Sequence, residues 1–180
     1  MSKMKMGATP FIFAFFITFF PTTQTSAQSY GTALGIRLDG WGATLQQQIA
    51  FGKTIEIIAQ SEGFNKNSFI GTVLYEQHKG LLTQNLNFYL GGGLYHKWYD
   101  KSDVTLTNLK NPTGISPIMG LELNLGKLVF SGDIKPNIKI AGDAPKALEW
   151  HTGISIRYEL AGRYFKNDNW KFWQKWKKKK

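Results

Sequence analysis

Residues 150–160, Trp-His-Thr-Gly-Ile-Ser-Ile-Arg-Tyr-Glu-Leu, switch chemistry at almost every step. Successive side chains of a β-strand point to opposite faces. Trp150, Thr152, Ile154, Ile156, Tyr158 and Leu160 therefore share one face, and His151, Gly153, Ser155, Arg157 and Glu159 the other. The apolar face carries an aromatic residue towards each end, while the opposite face is small or charged. A soluble sheet would turn its apolar face inward. A transmembrane barrel strand turns it to lipid, sets aromatic residues at the two interfaces and keeps polar groups in the lumen. One strand cannot decide between these, but a chain that repeats the pattern can.

Seven further runs have period-two alternation, most of them close to the ~9 to 11 residues that a tilted membrane strand needs. They are 30–38, 43–51, 54–61, 69–77, 86–96, 115–125 and 128–140. The first is read with Tyr30, Thr32, Leu34, Ile36 and Leu38 outward and Gly31, Ala33, Gly35 and Arg37 inward. In the sixth, Met119, Leu121, Leu123 and Leu125 oppose Ser116, Gly120, Glu122 and Asn124. In the seventh, Leu128, Phe130, Ile134, Ile138 and Ile140 oppose Ser131, Asp133, Lys135, Asn137 and Lys139. Pro136 lacks a ladder donor, which predicts a bulge or strand end there. Glycines 91–93 allow a tightly curved wall to bend.

The connections segregate. Gly52-Lys53 and Gly126-Lys127 read as tight turns, 78–85 is a moderate link, and 39–42, 62–68, 97–114 and 141–149 are the opposite set. Bacterial outer-membrane barrels have short periplasmic turns and longer external loops, which places both chain ends on the periplasmic side. The expected fold is an all-β, eight-stranded, antiparallel up-and-down transmembrane β-barrel over residues 28–160.

The flanks read differently. Lys3 and Lys5, an apolar run over 11–20 and Thr25-Ser26-Ala27 form a signal peptide over 1–27, cleaved after Ala27. The run is too short to span a membrane and Pro21 breaks it. Cysteine is absent, which excludes a lipoprotein anchor, a disulfide framework and a thiolate site. Residues 28–160 carry 12 Lys and Arg against 11 Asp and Glu, whereas 161–180 carry 8 against 1. The overall pI near 9.7 therefore comes from a tail and does not point to nucleic acid. In that tail Trp170, Trp173 and Trp176 recur every three residues beside Lys171, Lys175 and Lys177. On a helix they would make an aromatic face with a basic remainder, suited to anionic headgroups. A solvated tail is the equal alternative.

On these residues the chain resembles the small eight-stranded outer-membrane barrels, the class that includes the transmembrane domain of outer-membrane protein A. Gly120-Leu121-Glu122-Leu123-Asn124-Leu125, Asp133-Ile134-Lys135-Pro136 and Gly153-Ile154-Ser155-Ile156-Arg157-Tyr158 are similar to the last three strands of the Bacteroidota-type porin-like β-barrel family. The resemblance implies an outer-membrane location and lipid partners. His151, Gly153, Ile156 and Tyr158 also resemble the signal read by the barrel-assembly machinery, although the chain continues for 20 residues beyond Leu160.

An eight-stranded barrel is just wide enough for side chains to fill. The inward set Arg37, Glu56, Glu76, Glu122, Asp133, Lys135, Lys139, Arg157 and Glu159 has both signs, and an unpaired ion there costs several kcal/mol. A structural ion-pair network is thus expected in place of an open pore, with Glu122, Asp133, Lys135 and Arg157 at its core. No catalytic, cofactor or metal set stands out. His151 and Ser155 are roughly 13 Å apart along a strand, too far for a nucleophile and base, and His78 and His96 fall near opposite ends. A lipid-modifying enzyme remains an alternative without nameable residues. The other is a soluble lipocalin-like cup lined by Leu34, Ile36, Leu121, Leu123, Ile154 and Ile156, which would leave many glycines on a solvated exterior. Any surface ligand is expected at loop 97–114, with Trp98 and Tyr99.

Overall fold

The computed structural model describes residues 30–62, 68–81, 85–100, 109–144 and 146–162. They form eight strands: β1 (Tyr30–Arg37), β2 (Gly42–Ala50), β3 (Lys53–Ser61), β4 (Phe69–Gly80), β5 (Leu86–Trp98), β6 (Thr113–Leu125), β7 (Leu128–Ala141) and β8 (Leu148–Gly162). Each pairs antiparallel with the next, and β8 returns to β1 to close the barrel. Closure removes the unpaired edge on which an open sheet would aggregate. The expected all-β, eight-stranded, antiparallel up-and-down barrel is the observed fold.

β2 is followed by β3, β4 by β5 and β6 by β7 at the end where β1 starts and β8 finishes, here the turn end, with 51–52 and 126–127 as its two-residue links. At the opposite, loop end lie 38–41, 62, 68, 99–100, 109–112, 142–144 and 146–147 among the described residues. Gly52 and Gly126 have φ of 64° and 65°, the left-handed geometry that two-residue hairpin turns require and glycine adopts without strain. The first tight turn is 51–52, one residue earlier than expected. Lys53 belongs to β3 and pairs with Ala50.

Most outward residues are apolar and exposed, with Leu94 at 64% and Ile140 at 70%, whereas the inward Arg37, Glu56, Lys135 and Glu122 are at 0%. Leu34, Ile36, Leu121, Leu123 and Ile154 all face out, so the apolar cup of a lipocalin-like barrel is not formed by them. A small apolar layer does cross the lumen, made of Ile58, Leu74, Tyr89 and Ile118.

Two local expectations are overturned. Tyr30 points inward and is fully buried, because register shifts at Tyr30/Thr32 and Thr32/Ala33 break the alternation at the start of β1. Pro136 makes neither a bulge nor a strand end, and β7 pairs with β8 straight through it, opposite Trp150. On its other side the ladder with β6 is interrupted between the pairs Ile115↔Ile138 and Met119↔Ile134, without any change of register. Pro117 and Pro136 fall opposite each other in that gap, and neither has an N–H to donate.

Candidate functional site

The chemistry of this barrel lies in its lumen. Arg37 on β1 donates from Nη1 to Asp133 Oδ2 at 2.8 Å and from Nη2 to Oδ1 at 2.6 Å, a bidentate pair with both side chains fully buried. The guanidinium passes over Gly153, which lies opposite Asp133 in the β7/β8 ladder. A Cβ on Gly153 would meet Arg37 Nη2 at 2.3 Å, so this glycine seats the pair. Tyr89 donates its hydroxyl to Asp133 Oδ2 at 3.0 Å. Arg37 Nε also reaches Asp39 Oδ1 at 3.1 Å.

The second pair joins Arg157 on β8 to Glu56 on β3 across Thr44. Arg157 also donates to Ser131 Oγ at 2.8 Å, and the Thr44 hydroxyl donates to Glu56. Nearer the turn end, Tyr30 donates to Glu122 Oε2 at 2.6 Å and is also hydrogen-bonded to Gln46. Gln46 in turn donates to Glu76 Oε2 at 2.6 Å. Asn87 and Asn124 donate to Glu122 Oε1 at 3.2 and 3.4 Å.

The inward set is therefore assembled differently from the expected core. Glu122, Asp133, Lys135 and Arg157 lie on adjacent strands but do not pair with one another. Asp133 takes Arg37, Arg157 takes Glu56, and Glu122 takes Tyr30 and two asparagines. Lys135 donates to the neutral Gln60 and Thr72 at 3.4 and 3.3 Å. Lys139 and Glu159 sit half-buried at opposite ends, with Lys139 donating to the Ala144 carbonyl at 3.2 Å.

His78 is not at a strand end as the alternation suggests: β4 continues to Gly80 and the imidazole is buried in the lumen, stacked on Tyr89 at 5.3 Å. Its Nε2 lies 3.0 Å from Thr54 Oγ1 and 3.4 Å from Glu76 Oε2, and its Nδ1 is 3.9 Å from Glu122 Oε1. A hydroxyl, an imidazole and a carboxylate in sequence suggest a nucleophile and its base. However, the carboxylate on Nδ1 is beyond hydrogen-bond range. Thr54 is 0% exposed, so no substrate can approach it as the barrel stands. Among the described residues no His, Cys, Asp and Glu group is arranged to hold a metal ion.

At the loop end Lys97 bridges Glu62 at 2.7 Å and Glu149 at 3.4 Å. His151 lies 3.9 Å from Glu149, while Ile156 and Tyr158 sit on the outward face of β8. Trp98 belongs to β5 and packs on Phe69 and His96 at 5.7 and 4.5 Å, so it is part of the wall and not of the loop. Tyr99 begins the loop and donates to the Asp143 carbonyl at 2.7 Å. Burial, with Glu149, Glu62 and Asp143 nearby, pushes its phenol above the ordinary value. Ala161 and Gly162 extend β8, and Trp170, Lys171, Trp173, Lys175, Trp176 and Lys177 lie outside the described residues, as does the 1–27 segment.

No protein-family model matches the sequence, and no curated protein matches it either. Among solved structures it is similar to the N-terminal β-barrel domain of Pseudomonas aeruginosa OprF, with a TM-score of 0.55 and 11% identity over 73% of this chain and 98% of that one. The two share the closed eight-stranded antiparallel barrel.

Proposed function

We propose that the chain is an integral outer-membrane barrel without enzymatic activity, whose lumen is closed by buried ion pairs and whose specific role lies at the loop end. The observation that carries this reading is the inversion of the two faces. A largely apolar wall is exposed while Arg37, Glu56, Glu76, Glu122, Asp133, Lys135 and Arg157 are buried. Water would oppose both arrangements, and a bilayer around a polar lumen favours both. The finer likeness to the Bacteroidota-type porin-like family rests on the strand segments quoted above.

The reading places the turn end in the periplasm and the loops outside, after export, signal-peptide removal and insertion by the barrel-assembly machinery. The loop that starts at Tyr99 is the candidate surface for an external ligand. The test is electrophoresis of detergent-refolded protein with and without boiling, alongside circular dichroism. A mobility shift with strand signal is expected; protein that stays folded and soluble without detergent would overturn the reading. Planar bilayers should show no stable conductance, and expression should leave lipid A acylation unchanged. Deleting 161–180 should leave the barrel folded and weaken its binding to anionic vesicles; unchanged binding removes the membrane role of the tail.

A further inference from the structure

Three glycines face outward from the wall, and they differ in what surrounds them. A Cβ on Gly71 would meet the Trp98 ring at 2.9 Å, so that glycine is covered. A Cβ on Gly92 would find nothing nearer than Pro117 Cα at 3.8 Å, and one on Gly132 nothing within 4 Å. Neither is required to be glycine for lack of space, and each leaves a furrow in an otherwise bulky wall.

The furrow at Gly92 runs between β4 and β5 and has a volume of about 360 Å³, bounded by Tyr75, Gln77, Lys79, Phe88 and Leu90. Gly92 pairs with Tyr75, Leu90 with Gln77 and Phe88 with Lys79, so the furrow descends from the middle of the wall to Lys79 at the turn end. Lys53 stands beside Gln77 on β3. Among the described residues, every exposed charge at the turn end is a lysine: Lys53, Lys79 and Lys127. The loop end, by contrast, exposes both signs, Lys110, Lys146 and Asp143. The furrow at Gly132 is lined by Leu86, Leu121, Leu123, Phe130 and Ile154 and has no basic residue.

We propose that the β4/β5 furrow seats one anionic phospholipid of the leaflet at the turn end, with an acyl chain lying over Gly92 and the headgroup phosphate against Lys79. An apolar channel opening onto a lysine matches a chain joined to a phosphate, and the lysine-only rim favours the anionic lipid over the zwitterionic one. The seat rests on the membrane reading above.

The test is refolding into vesicles of equimolar phosphatidylglycerol and phosphatidylcholine with matched chains, extraction into mild detergent, and native mass spectrometry of the lipid retained. Wild type is expected to keep one phosphatidylglycerol in preference to phosphatidylcholine. Lys79→Gln should reduce that preference about fivefold, the effect of one surface lysine. Gly92→Leu should lose the bound lipid, and Gly132→Leu should keep it. Folding of each variant is read separately from its mobility shift on boiling. Normal shifts with equal retention of both lipids, or with unchanged retention in Gly92→Leu, overturn the seat and leave the barrel standing. Absence of the shift in wild type overturns the membrane reading and the seat with it.

Discussion

The inner and outer faces are made by the same eight strands, yet they are specified in different ways. On the outer wall Leu, Ile, Val and Met alternate with no fixed partner, and any side chain of suitable size and polarity satisfies the surroundings. In the lumen each charged group has particular partners: Asp133 holds Arg37 and Tyr89, and Glu56 holds Arg157 and Thr44. The wall stabilises by composition and the lumen by identity. Substitutions should therefore act mildly outside unless they change polarity, and severely inside whenever they leave a partner behind.

The largest effect expected is at the Arg157–Glu56 pair. Arg157→Met leaves Glu56 buried without its cation and should cost about 3–5 kcal/mol, measured by urea unfolding in lipid vesicles. Adding Glu56→Met should recover most of that loss, because both desolvation penalties then disappear together. Additive losses would mean that the lumen is no more specific than the wall. Next comes polarity on the outside: Met119→Arg near the middle of β6 should cost about 2–4 kcal/mol, while Met119→Leu should stay below about 1.5 kcal/mol. If both were tolerated, the wall would not face lipid.

Glycines sharpen the contrast at a smaller scale. Gly153→Ala drives a methyl group into the Arg37 guanidinium and should cost about 1–3 kcal/mol. Gly132→Ala meets open space and should stay within about 0.5 kcal/mol. Equal effects at the two positions would argue that Gly153 is not held by the Arg37 pair.

Much of this was legible from residue order. The strand set follows from period two, since a barrel strand with one lipid face and one lumen face must alternate. The failures came where alternation is interrupted or uninformative. Tyr30 escapes the pattern because a bulge reverses facing within two residues and leaves no compositional mark. The polar Gln77-His78-Lys79 stretch looks like a strand end, yet the ladder with β5 continues through Gly80 and carries His78 into the lumen. Pro136 was expected to distort its strand, but only the β6 side of the ladder needs the missing donor.

Alternation alone determined that the chain forms strands with an apolar and a polar face, and that eight of them close as a barrel of narrow lumen. Which carboxylate meets which guanidinium was decided only by the tertiary structure. Arg37 and Asp133 are 96 residues apart, and Arg157 and Glu56 are 101 apart. Their meeting depends on the stagger accumulated over several registers, β1/β8 and β7/β8 for the first pair and β1/β8, β1/β2 and β2/β3 for the second. No pair of neighbouring strands contains that information, so the periodicity that names the inward residues is silent on their partners.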